Sequence, residues 1–496
     1  MTAADASRQA LRRHRVPAWW TDAKLGLMVH WTPASVPAFA PTDAAIGELL
    51  ASSEPDALKD VPYVEWYENS LRFDDSQVSR HHRETYGSRP YSEFARDFEA
   101  ALDRWDPDGF ASAFAASGAK YVVFVAKHSD GYSLWPTDVP HPNRSRWHSE
   151  RDIVGEMADA VRAVGLRFGL YYCGGFDWSF SDHRVGSMAD SILAVPRGPY
   201  PAYADAQVRE LIERYRPSVL WNDVAWPTGA GQLRRLMADY YRAVPDGVLN
   251  DRWMSWSPLF STARFGPVAR WINRRAARSA TETGGLVAPR PPHFDVRTPE
   301  YASLGDIQTT PFELVRGMDK SFAVNERSGP QDFLTRTELL ESLVDAAAKG
   351  GNLLLNVGPR GVDATIPDVQ LARLGWLGEF MAVNERARAG TRRWVVAGAT
   401  TTEGDWLRYT ARGEQVFAFV DAADGTASIT LAEVAAGPTT TVETLDGTPL
   451  RWRDSPRGVT VDLAAPTLLT DSMPTESMPT VIVLGDVEAR GDGRRS

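Results

Sequence analysis

Short apolar runs alternate with amphipathic helical stretches between about residue 20 and residue 390, and this alternation restricts the chain to few folds. The helical stretches carry apolar residues at the i, i+3, i+4 spacing, and the runs between them have the length of buried strands. Such a pattern predicts βα units around a parallel sheet. The number of units favours a (β/α)8-like barrel of the TIM type over a doubly wound sheet. The predicted strands are residues 24–30, 121–127, 166–172, 219–223 and 352–357, and the predicted helices are residues 152–164, 204–215, 231–242 and 335–349.

The pattern changes after about Thr391, where helical periodicity stops and short runs rich in Thr, Val and Ala begin. Turn signals separate these runs, among them Asp424-Gly425 and Asp446-Gly447. We therefore predict a barrel at residues 1–390 and a small C-terminal β-sandwich at residues 391–496. Such a domain either binds glycan or supports the barrel by packing, and packing support is the commoner role. Its predicted strands are residues 393–396, 406–410, 415–420, 427–431, 440–445 and 480–484.

Composition argues against several classes of partner. The chain has 496 residues and a formal net charge of -10, with 54 Lys and Arg scattered among 64 Asp and Glu, which disfavours a nucleic-acid partner. The first residues show neither the apolar region nor the cleavage pattern of a secretory signal. No window approaches the ~20 consecutive apolar residues needed to cross a bilayer. We expect a soluble protein with no nucleic-acid and no membrane partner.

The single cysteine, Cys173, excludes an intrachain disulfide framework and is typical of a reducing compartment. Together with the character of the first residues, it predicts a cytoplasmic protein. Barrels of this size often self-associate through exposed helices, so a homo-oligomer is left open.

One stretch, from Pro217 to Pro227, places an acidic residue at the end of an apolar run. A run of β-formers between two prolines indicates a buried parallel strand, and catalytic groups of α/β barrels lie at the carboxyl ends of such strands. Asp223 is therefore the first candidate for a catalytic carboxylate. In the alternative interpretation, Asp223 caps the next helix and the flanking Trp221 and Trp226 belong to the core.

Seventeen tryptophans are many for a chain of this size, and several stand beside Gly, His or Asp. The apolar faces of sugar rings pack on indole, and their hydroxyls require dense polar partners. Trp residues next to His, Asp and Glu at strand ends therefore suggest a carbohydrate site. More than half of the tryptophans are nevertheless expected to be core or half-buried surface residues.

Residues 254–292 form a second region without a clear apolar period. It contains one acidic residue and a series of arginines: Arg264, Arg270, Arg274, Arg275, Arg278 and Arg290. A long insertion at the top of a barrel is able to shape the substrate entrance or an oligomer contact. A solvated and partly disordered loop is an equal alternative.

Six motifs agree with one another in order along the chain. They are Leu25-Gly-x-x-x-His-Trp31, Glu65-Trp-Tyr-x-Asn-Ser70, Lys127-His-x-Asp-Gly-Tyr132, Tyr171-Tyr-x-Gly-Gly-x-Asp-Trp178, Trp221-Asn-Asp-x-x-Trp-Pro227 and Gly350-Gly-Asn-Leu-Leu-Leu-Asn-Val-Gly-Pro359. Through these motifs the chain resembles the α-L-fucosidases of glycoside hydrolase family 29. The resemblance covers nearly all of the barrel region, whereas the C-terminal region matches only in position and character.

The resemblance implies retaining hydrolysis of terminal α-L-fucose from fucosylated oligosaccharides, with no metal and no organic cofactor. Two carboxyl groups roughly 5 Å apart are then required, one as nucleophile and one as acid/base. The family's nucleophile carries over to Asp223. For the acid/base we choose Glu300, which must start protonated, and Glu313 and Asp295 stay open as alternatives.

The resemblance also implies residues that grip the sugar. These residues are His30, Glu65, Trp66, His128, Tyr171, Trp221 and Arg252. Tyr171 and Tyr172 point in opposite directions in a strand, and the sequence does not decide which one faces the site. Many relatives have two adjacent histidines where this chain has His128-Ser129. A serine is shorter, so a related galacto-configured or 6-deoxy sugar stays open as the substrate.

Other functions fit the sequence less well. A metal-dependent hydrolase needs clustered ligands, but the nine histidines are dispersed and form no His-x-His or His-Glu-x-x-His pair. A non-catalytic glycan-binding barrel would keep the aromatic residues and lose the carboxylate pair. The preferred fucosidic linkage, and the choice between hydrolysis and transfer to a sugar acceptor, are not readable from the motifs, since the same glycosyl-enzyme serves water and sugar acceptors.

Overall fold

A computed structural model of the chain describes residues 3–52, 54, 56–422, 426–463 and 478–490. Its parallel strands are β1 (Leu25–Val29), β2 (Tyr121–Lys127), β3 (Arg167–Cys173), β4 (Val219–Asp223), β5 (Val248–Leu249), β6 (Glu313–Arg316) and β7 (Asn352–Val357). They form one curled sheet in the order β5-β4-β3-β2-β1-β7-β6. The five strands predicted in this region are confirmed to within one residue at each end. The prediction missed β5 and β6, which are too short to give a clear apolar run.

The segment of residues 295–300 closes the curled sheet between its two edge strands, β5 and β6. The amide of Asp295 donates to the carbonyl of Leu249 in β5 at 2.9 Å. On the other side, the amide of Val315 in β6 donates to the carbonyl of Pro299, also at 2.9 Å. The segment therefore occupies the place of an eighth strand, and the predicted (β/α)8-like barrel is confirmed.

Helices surround the barrel. Two of these helices begin at a side-chain cap: Asp152 accepts from the amide of Gly155, and Thr335 forms a capping box with Glu338. Helices predicted at 152–164, 204–215, 231–242 and 335–349 are confirmed. In the described residues, no helix has the length and apolar character to cross a membrane. In chain order the helices are α1 (Ala3–Arg13), α2 (Ala18–Ala23), α3 (Ile46–Ala51), α4 (Tyr67–Ser70), α5 (Gln77–Tyr86), α6 (Phe94–Ala101), α7 (Pro107–Ala116), α8 (Ile153–Ala163), α9 (Met188–Leu193), α10 (Tyr200–Tyr215), α11 (Ala230–Ala243), α12 (Gly266–Thr283), α13 (Arg336–Ala348), α14 (Asp368–Val383) and α15 (Glu385–Arg388).

Successive side chains of the barrel strands point to opposite sides of the wall. In β2, Val122 and Phe124 pack against the helices, whereas Val123 belongs to the core inside the barrel. All seven residues of β2 are buried, so both faces of this strand carry mainly apolar side chains. The same alternation in β3 puts Tyr171 inside the barrel and Tyr172 against the helices. Tyr171 is thus the tyrosine that faces the candidate site.

Two antiparallel sheets form the C-terminal β-sandwich, as predicted. One sheet has the order β12-β15-β10-β9-β8, the other has the order β11-β14-β13, and an apolar core lies between them. The prediction missed β14 and also β13, which is short and mostly polar. These strands are β8 (Arg392–Thr400), β9 (Trp406–Arg412), β10 (Gln415–Asp421), β11 (Ser428–Ala432), β12 (Val434–Thr444), β13 (Trp452–Ser455), β14 (Gly458–Asp462) and β15 (Thr480–Ala489).

The sandwich packs on the barrel through β10. Phe417 and Phe419 join the core that the barrel shares with its helices, and the ring of Phe419 lies 6.4 Å from that of Phe380 in α14. Of the two predicted turns, Asp446-Gly447 is confirmed, with Gly447 at a φ of 90°. The turn predicted at Asp424-Gly425 lies outside the described residues.

The insertion at residues 254–292 is more regular than its sequence suggests. It contains a 3₁₀ helix, Pro258–Arg264, and the long helix α12. α12 packs against α3 and α9, and the Oδ1 atom of Asn273 accepts a 2.9 Å hydrogen bond from the amide of Ala189. The alternative of a solvated, partly disordered loop is therefore wrong for the described structure. The helical pattern is weak because the packed face of α12 consists largely of small residues, and only Ala280 is fully buried.

Candidate active site

A pocket opens at the carboxyl ends of the parallel strands. His30 follows β1, His128 follows β2 and Arg252 follows β5, while Asp223 is the last residue of β4. The strand ends meet at one rim, so residues far apart in the chain converge there. All nine residues that the sequence analysis assigns to the site line this pocket: His30, Glu65, Trp66, His128, Tyr171, Trp221, Asp223, Arg252 and Glu300.

Three hydrogen bonds fix the carboxylate of Asp223. Its Oδ2 atom accepts from the hydroxyl of Tyr171 at 2.7 Å. Its Oδ1 atom accepts from the amide of Val224 at 2.8 Å and from the guanidinium of Arg252 at 3.1 Å. Val224 has a φ of 65°, which is unfavourable for a β-branched residue, so the turn after β4 is strained. The carboxylate is held firmly but keeps 19% of its side chain exposed to the pocket.

Arg252 joins Asp223 to the second predicted catalytic residue, Glu300. One terminal nitrogen donates to Asp223, and the other donates to Oε2 of Glu300 at 2.7 Å. Thr298 accepts from the same guanidinium through its Oγ1 atom at 3.2 Å. Burial alone would lower the pKa of Arg252, but the carboxylates of Glu300 and Asp223 raise it. The guanidinium is therefore a permanent cation that fixes both carboxyl groups side by side.

Glu300 lies on the segment that closes the barrel, and its side chain is only 6% exposed. Its Oε1 atom accepts a short hydrogen bond from the hydroxyl of Tyr63. Burial, with Glu300 nearby, raises the pKa of Tyr63 well above its ordinary value, so this phenol stays a donor at neutral pH. Both oxygens of Glu300 are thus oriented by other side chains.

A directed chain of hydrogen bonds leads from Ser129 to Asp223. Burial lowers the pKa of His128 well below its ordinary value, so its imidazole is neutral. The hydroxyl of Tyr171 donates to Asp223, and it therefore accepts from Nε2 of His128 at 2.9 Å. With the proton on Nε2, the Nδ1 atom of His128 is an acceptor, and the hydroxyl of Ser129 lies 2.8 Å from it.

His30 is held in the other tautomer. The side-chain amide nitrogen of Asn356 donates a hydrogen bond to the carbonyl of Phe322. This contact turns the Oδ1 atom of Asn356 toward Nδ1 of His30, at 2.6 Å. Nδ1 must then carry the proton, because burial lowers the pKa of His30 to about 4 and leaves the ring neutral. The Nε2 atom of His30 is consequently an acceptor for a hydroxyl group.

Glu65 and Trp66 form the opposite wall. The Oε1 atom of Glu65 accepts from the amide of Ala323 at 2.9 Å, and its Oε2 atom is buried without a hydrogen-bond partner among the described residues. Burial raises the pKa of Glu65 to about 8. Trp66 stands nearly perpendicular to Phe176, with ring centroids 5.6 Å apart. An unsatisfied buried carboxyl beside an indole suits a polyhydroxylated ring.

Comparison with known proteins identifies the family. A sequence model described as alpha-L-fucosidase matches residues 2–386. The chain belongs to the α-L-fucosidase family. A solved α-L-fucosidase structure is 35% identical with a TM-score of 0.82, and the match covers 96% of this chain and 98% of that one. The Thermotoga maritima α-fucosidase, solved in complex with fucose, is 34% identical with a TM-score of 0.78 and the same coverage.

A curated relative agrees with these structures. The α-L-fucosidase of Branchiostoma floridae is 27% identical over 483 residues, which are 94% of this chain and 92% of its own length. The enzyme is therefore a glycoside hydrolase that cleaves α-L-fucosidic bonds, and the family resemblance stated from the six motifs is confirmed.

Two alternatives for the acid/base lie away from the pocket of this enzyme. Glu313 is fully buried below it, and its Oε1 atom accepts from Trp20 at 2.9 Å and from Tyr121 at 2.7 Å. Asp295 accepts from the hydroxyl of Tyr241 at 2.7 Å and faces His14 on the outer side of the barrel. Neither carboxyl lines the pocket, whereas Glu300 does.

Several pocket residues were not predicted from the sequence. Tyr63 precedes the Glu65 motif by two positions, and nothing in the sequence relates it to Glu300. Phe322 stacks on His30 with ring centroids 5.1 Å apart. The end of the insertion, at residues 286–289, also lines the pocket, in agreement with the interpretation that the insertion shapes the entrance. These residues come from loops without periodicity, so only the fold brings them to the site.

Ser129 does not line the pocket of this enzyme; it is fully buried and lies behind His128. Within the described part of the chain, no group of three His, Cys, Asp or Glu side chains is arranged to hold a metal ion.

Proposed function

We propose that the enzyme hydrolyses terminal α-L-fucosides with retention, with Asp223 as the nucleophile and Glu300 as the acid/base. The observation that carries this proposal is the guanidinium of Arg252, which binds Asp223 at 3.1 Å and Glu300 at 2.7 Å through different nitrogens. Two carboxyl groups that share one guanidinium lie close together. A short separation of this kind belongs to the retaining mechanism, whereas an inverting pair leaves room for a water molecule.

In the first step, an oxygen of Asp223 attacks the anomeric carbon, and the glycosidic oxygen leaves with the proton of Glu300. The bond to the aglycone breaks as the ester bond to Asp223 forms. Glu300 becomes a carboxylate as Asp223 loses its charge, so the pair carries one negative charge before and after the step. Arg252 faces that charge throughout and avoids a reorganisation cost.

In the second step, Glu300 takes a proton from water and the resulting hydroxide displaces the ester of Asp223. Glu300 is by then a carboxylate, because its proton left with the aglycone, and it is therefore able to act as the base. Tyr171 and Arg252 each hold an oxygen of Asp223 and stabilise it as the leaving group.

The remaining pocket side chains are proposed to bind the sugar. Nε2 of His30 offers a lone pair to a hydroxyl, and the unpartnered Oε2 of Glu65 offers a second polar contact. Trp66 and Trp221 present aromatic surface to the ring and its methyl group. His128 and Tyr171 complete the wall next to the nucleophile.

The test uses 4-nitrophenyl α-L-fucopyranoside with EDTA throughout. Wild type should release nitrophenol, and Asp223→Gly should lose nearly all activity. Azide should restore the variant and give the β-fucosyl azide, because the small anion then attacks the substrate directly. With Glu300→Ala, azide should instead attack the glycosyl-enzyme and give the α-fucosyl azide.

Matched variants Glu313→Gln and Asp295→Asn provide the control. If either of them, rather than Glu300→Ala, yields the α-fucosyl azide, the acid/base assignment is wrong. Wild-type turnover that survives in Asp223→Gly without azide would refute the nucleophile assignment.

We also propose that the enzyme acts in the cytoplasm, in the metabolism of fucose-containing glycans. The single, buried Cys173 supports a reducing compartment. Division of the chain at residues 390 and 391, and association into a homo-oligomer, are further proposals; symmetric self-association is common among soluble proteins. Subcellular fractionation, limited proteolysis and light scattering test the three proposals in turn.

A further inference from the structure

The outward face of α12 carries a stripe of arginines around an exposed tryptophan. Arg270, Arg274 and Arg278 recur at every fourth position, with Trp271 and Arg275 beside them, so all five lie on one face. Trp271 is 63% exposed, unlike most of the protein's tryptophans. The opposite face, with Ala280 buried and Asn273 bonded to Ala189, is the one packed on α3 and α9.

The positive charge of this insertion is concentrated and unneutralised. Residues 254–292 contain six arginines and one acidic residue, Glu282, in a chain whose net charge is -10. All six arginines are exposed, and none forms an ion pair with a carboxylate of the described residues. An exposed charge of one sign on a protein of the opposite sign favours an oppositely charged partner. A ligand of this surface is therefore expected to be anionic.

The insertion that carries the basic surface of α12 reaches the active-site pocket. α3 and α9, on which α12 packs, supply Ile46 and Met188 to the pocket wall. After α12 the chain returns along the wall, where residues 286–289 line the pocket. Arg290 follows at once and is exposed. Arg290 is thus adjacent in the chain to the pocket lining, and the other arginines belong to the helix that packs on the pocket-wall helices α3 and α9.

We propose that this surface binds the anionic portion of an acidic, fucosylated polysaccharide whose terminal fucose occupies the pocket. The proposal rests on the proposed function and adds the substrate class: a glycan with sulfate esters or carboxylates near the cleaved residue. The guanidinium forks of the arginines match the oxygens of both groups. Trp271 offers a flat face to a sugar ring, and an 18-residue helix is about 27 Å long, which spans several sugar units.

Two other anionic partners fit the surface less well. A helix that lies in a membrane interface buries a continuous apolar face, but the apolar and small face of α12 is already packed on the protein. The acidic surface of a second copy would match the charge, but it does not account for the continuity with the pocket. Both partners are outcomes of the test below.

The test compares the full-length enzyme with the variant Arg270→Gln/Arg274→Gln/Arg275→Gln/Arg278→Gln. The control variant Arg96→Gln/Arg104→Gln/Arg235→Gln/Arg451→Gln removes the same charge from exposed arginines elsewhere. Substrates are a sulfated fucan oligosaccharide, the same oligosaccharide after desulfation, and 4-nitrophenyl α-L-fucopyranoside. We expect kcat/KM on the sulfated substrate to fall about tenfold or more at low salt in the α12 variant alone, and activity on the two neutral substrates to change less than about twofold.

A binding measurement separates failure of this proposal from failure of the proposed function. Affinity for a sulfated polysaccharide without cleavable fucose should fall in the α12 variant and in Trp271→Ala, whether or not the enzyme turns over an aryl fucoside. Equal losses on sulfated and desulfated substrates, or equal losses in the control variant, would overturn the proposal. The proposal would also be overturned if the α12 variant lost affinity only for anionic lipid vesicles. A change of this variant from oligomer to monomer, with glycan binding intact, would overturn it as well.

Discussion

The hydroxyl of Tyr171 donates a 2.7 Å hydrogen bond to Oδ2 of Asp223, on the oxygen that Arg252 leaves free. This bond fixes the donor and acceptor roles of His128 and Ser129, which continue the chain of hydrogen bonds. Because Tyr171 is a donor to Asp223, His128 must donate to Tyr171, and Ser129 must donate to His128. The nucleophile is thus oriented by a relay of hydrogen bonds, Ser129 to His128 to Tyr171 to Asp223, which extends to a residue outside the pocket. Each member of this relay is testable by substitution.

Replacement of Tyr171 by Phe should lower kcat/KM on 4-nitrophenyl α-L-fucopyranoside by about tenfold to a hundredfold. A hydrogen bond to a charged group contributes about 1.5–3 kcal/mol, and the variant loses one on the attacking carboxylate. The matched control is Tyr172→Phe, whose hydroxyl bonds Gln207 at 2.9 Å on the helix side of the wall. Equal activities of the two variants would show that the bond to Asp223 does not matter.

Ser129→Ala should reduce kcat/KM by about three- to tenfold and leave the fold intact. The variant removes a neutral hydrogen bond to Nδ1 of His128, for which about 0.5–1.5 kcal/mol is typical. The relay to Tyr171 then loses the donor that fixes the His128 tautomer. Ser129→Thr keeps the hydroxyl and should retain more activity than Ser129→Ala. If both variants match wild type, the orientation of His128 does not depend on this residue.

Arg252→Lys should lower kcat by about tenfold to a hundredfold even though the charge is kept. A single ammonium cannot donate in a fixed geometry to both Asp223 and Glu300 as the guanidinium does. Arg297→Lys is the control, because Arg297 pairs with Asp251 at 2.8 Å and contacts neither catalytic carboxylate. Steady-state kinetics on the aryl fucoside decide the matter: a wild-type kcat in Arg252→Lys would contradict the bridging role.

The catalytic end of β4 could be predicted because local signals agree there. An apolar run between two prolines defines the strand, and Asp223 is its last residue. The position of Glu300 could not be predicted in the same way. Its segment has no apolar run, and it becomes part of the barrel only through hydrogen bonds to β5 and β6. Those bonds join positions that no local pattern relates.

Sequence patterns also do not show which face of a strand or helix is turned inward when both faces have similar side chains. Strand alternation shows that Tyr171 and Tyr172 face opposite ways, but both sides of a barrel wall are apolar, so the inward residue is not determined by the pattern. The helix α12 was missed for a related reason. Its packed face has Ala276, Ala277 and Ala280 in place of large apolar residues, and the arginines opposite them resemble a solvated loop.

Stability should depend on pH through Glu65. Burial raises its pKa to about 8 from an ordinary 4.5, so the folded state binds the proton more tightly than the unfolded state. The resulting stabilisation is full below about pH 4.5 and is lost as the pH rises to about 8. Each pKa unit corresponds to about 1.4 kcal/mol.

Glu65→Gln lacks this titration. In urea titrations, the free energy of unfolding of wild type minus that of the variant should therefore fall between pH 5 and pH 8. Glu213→Gln is the control, because it makes the same substitution at an exposed position of α10. A wild-type minus Glu65→Gln difference that is constant over this range would show that Glu65 is not titrated as its burial implies.

The ion pair between Lys127 and Asp177 ties together two of the six motifs, and its loss should destabilise the fold. The two charged atoms lie 2.5 Å apart and both side chains are fully buried. Lys127 also lies 4.6 Å from the ring centroid of Tyr172 and donates to the hydroxyl of Tyr200 at 3.3 Å. Lys127→Met leaves the charge of Asp177 buried and uncompensated, which typically costs about 3–5 kcal/mol.

The double variant Lys127→Met/Asp177→Asn removes both charges and should recover part of this loss. Equilibrium unfolding in urea at constant pH measures Lys127→Met, the second single variant Asp177→Asn and the double variant, and the difference between the double variant and the sum of the two single variants gives the coupling of the pair. If Lys127→Met lowers the free energy of unfolding by less than about 1 kcal/mol, the buried pair is no stronger than an exposed salt bridge. Because His128 follows Lys127 directly, the same loss should also reach the relay to Asp223 and lower kcat in the single variant.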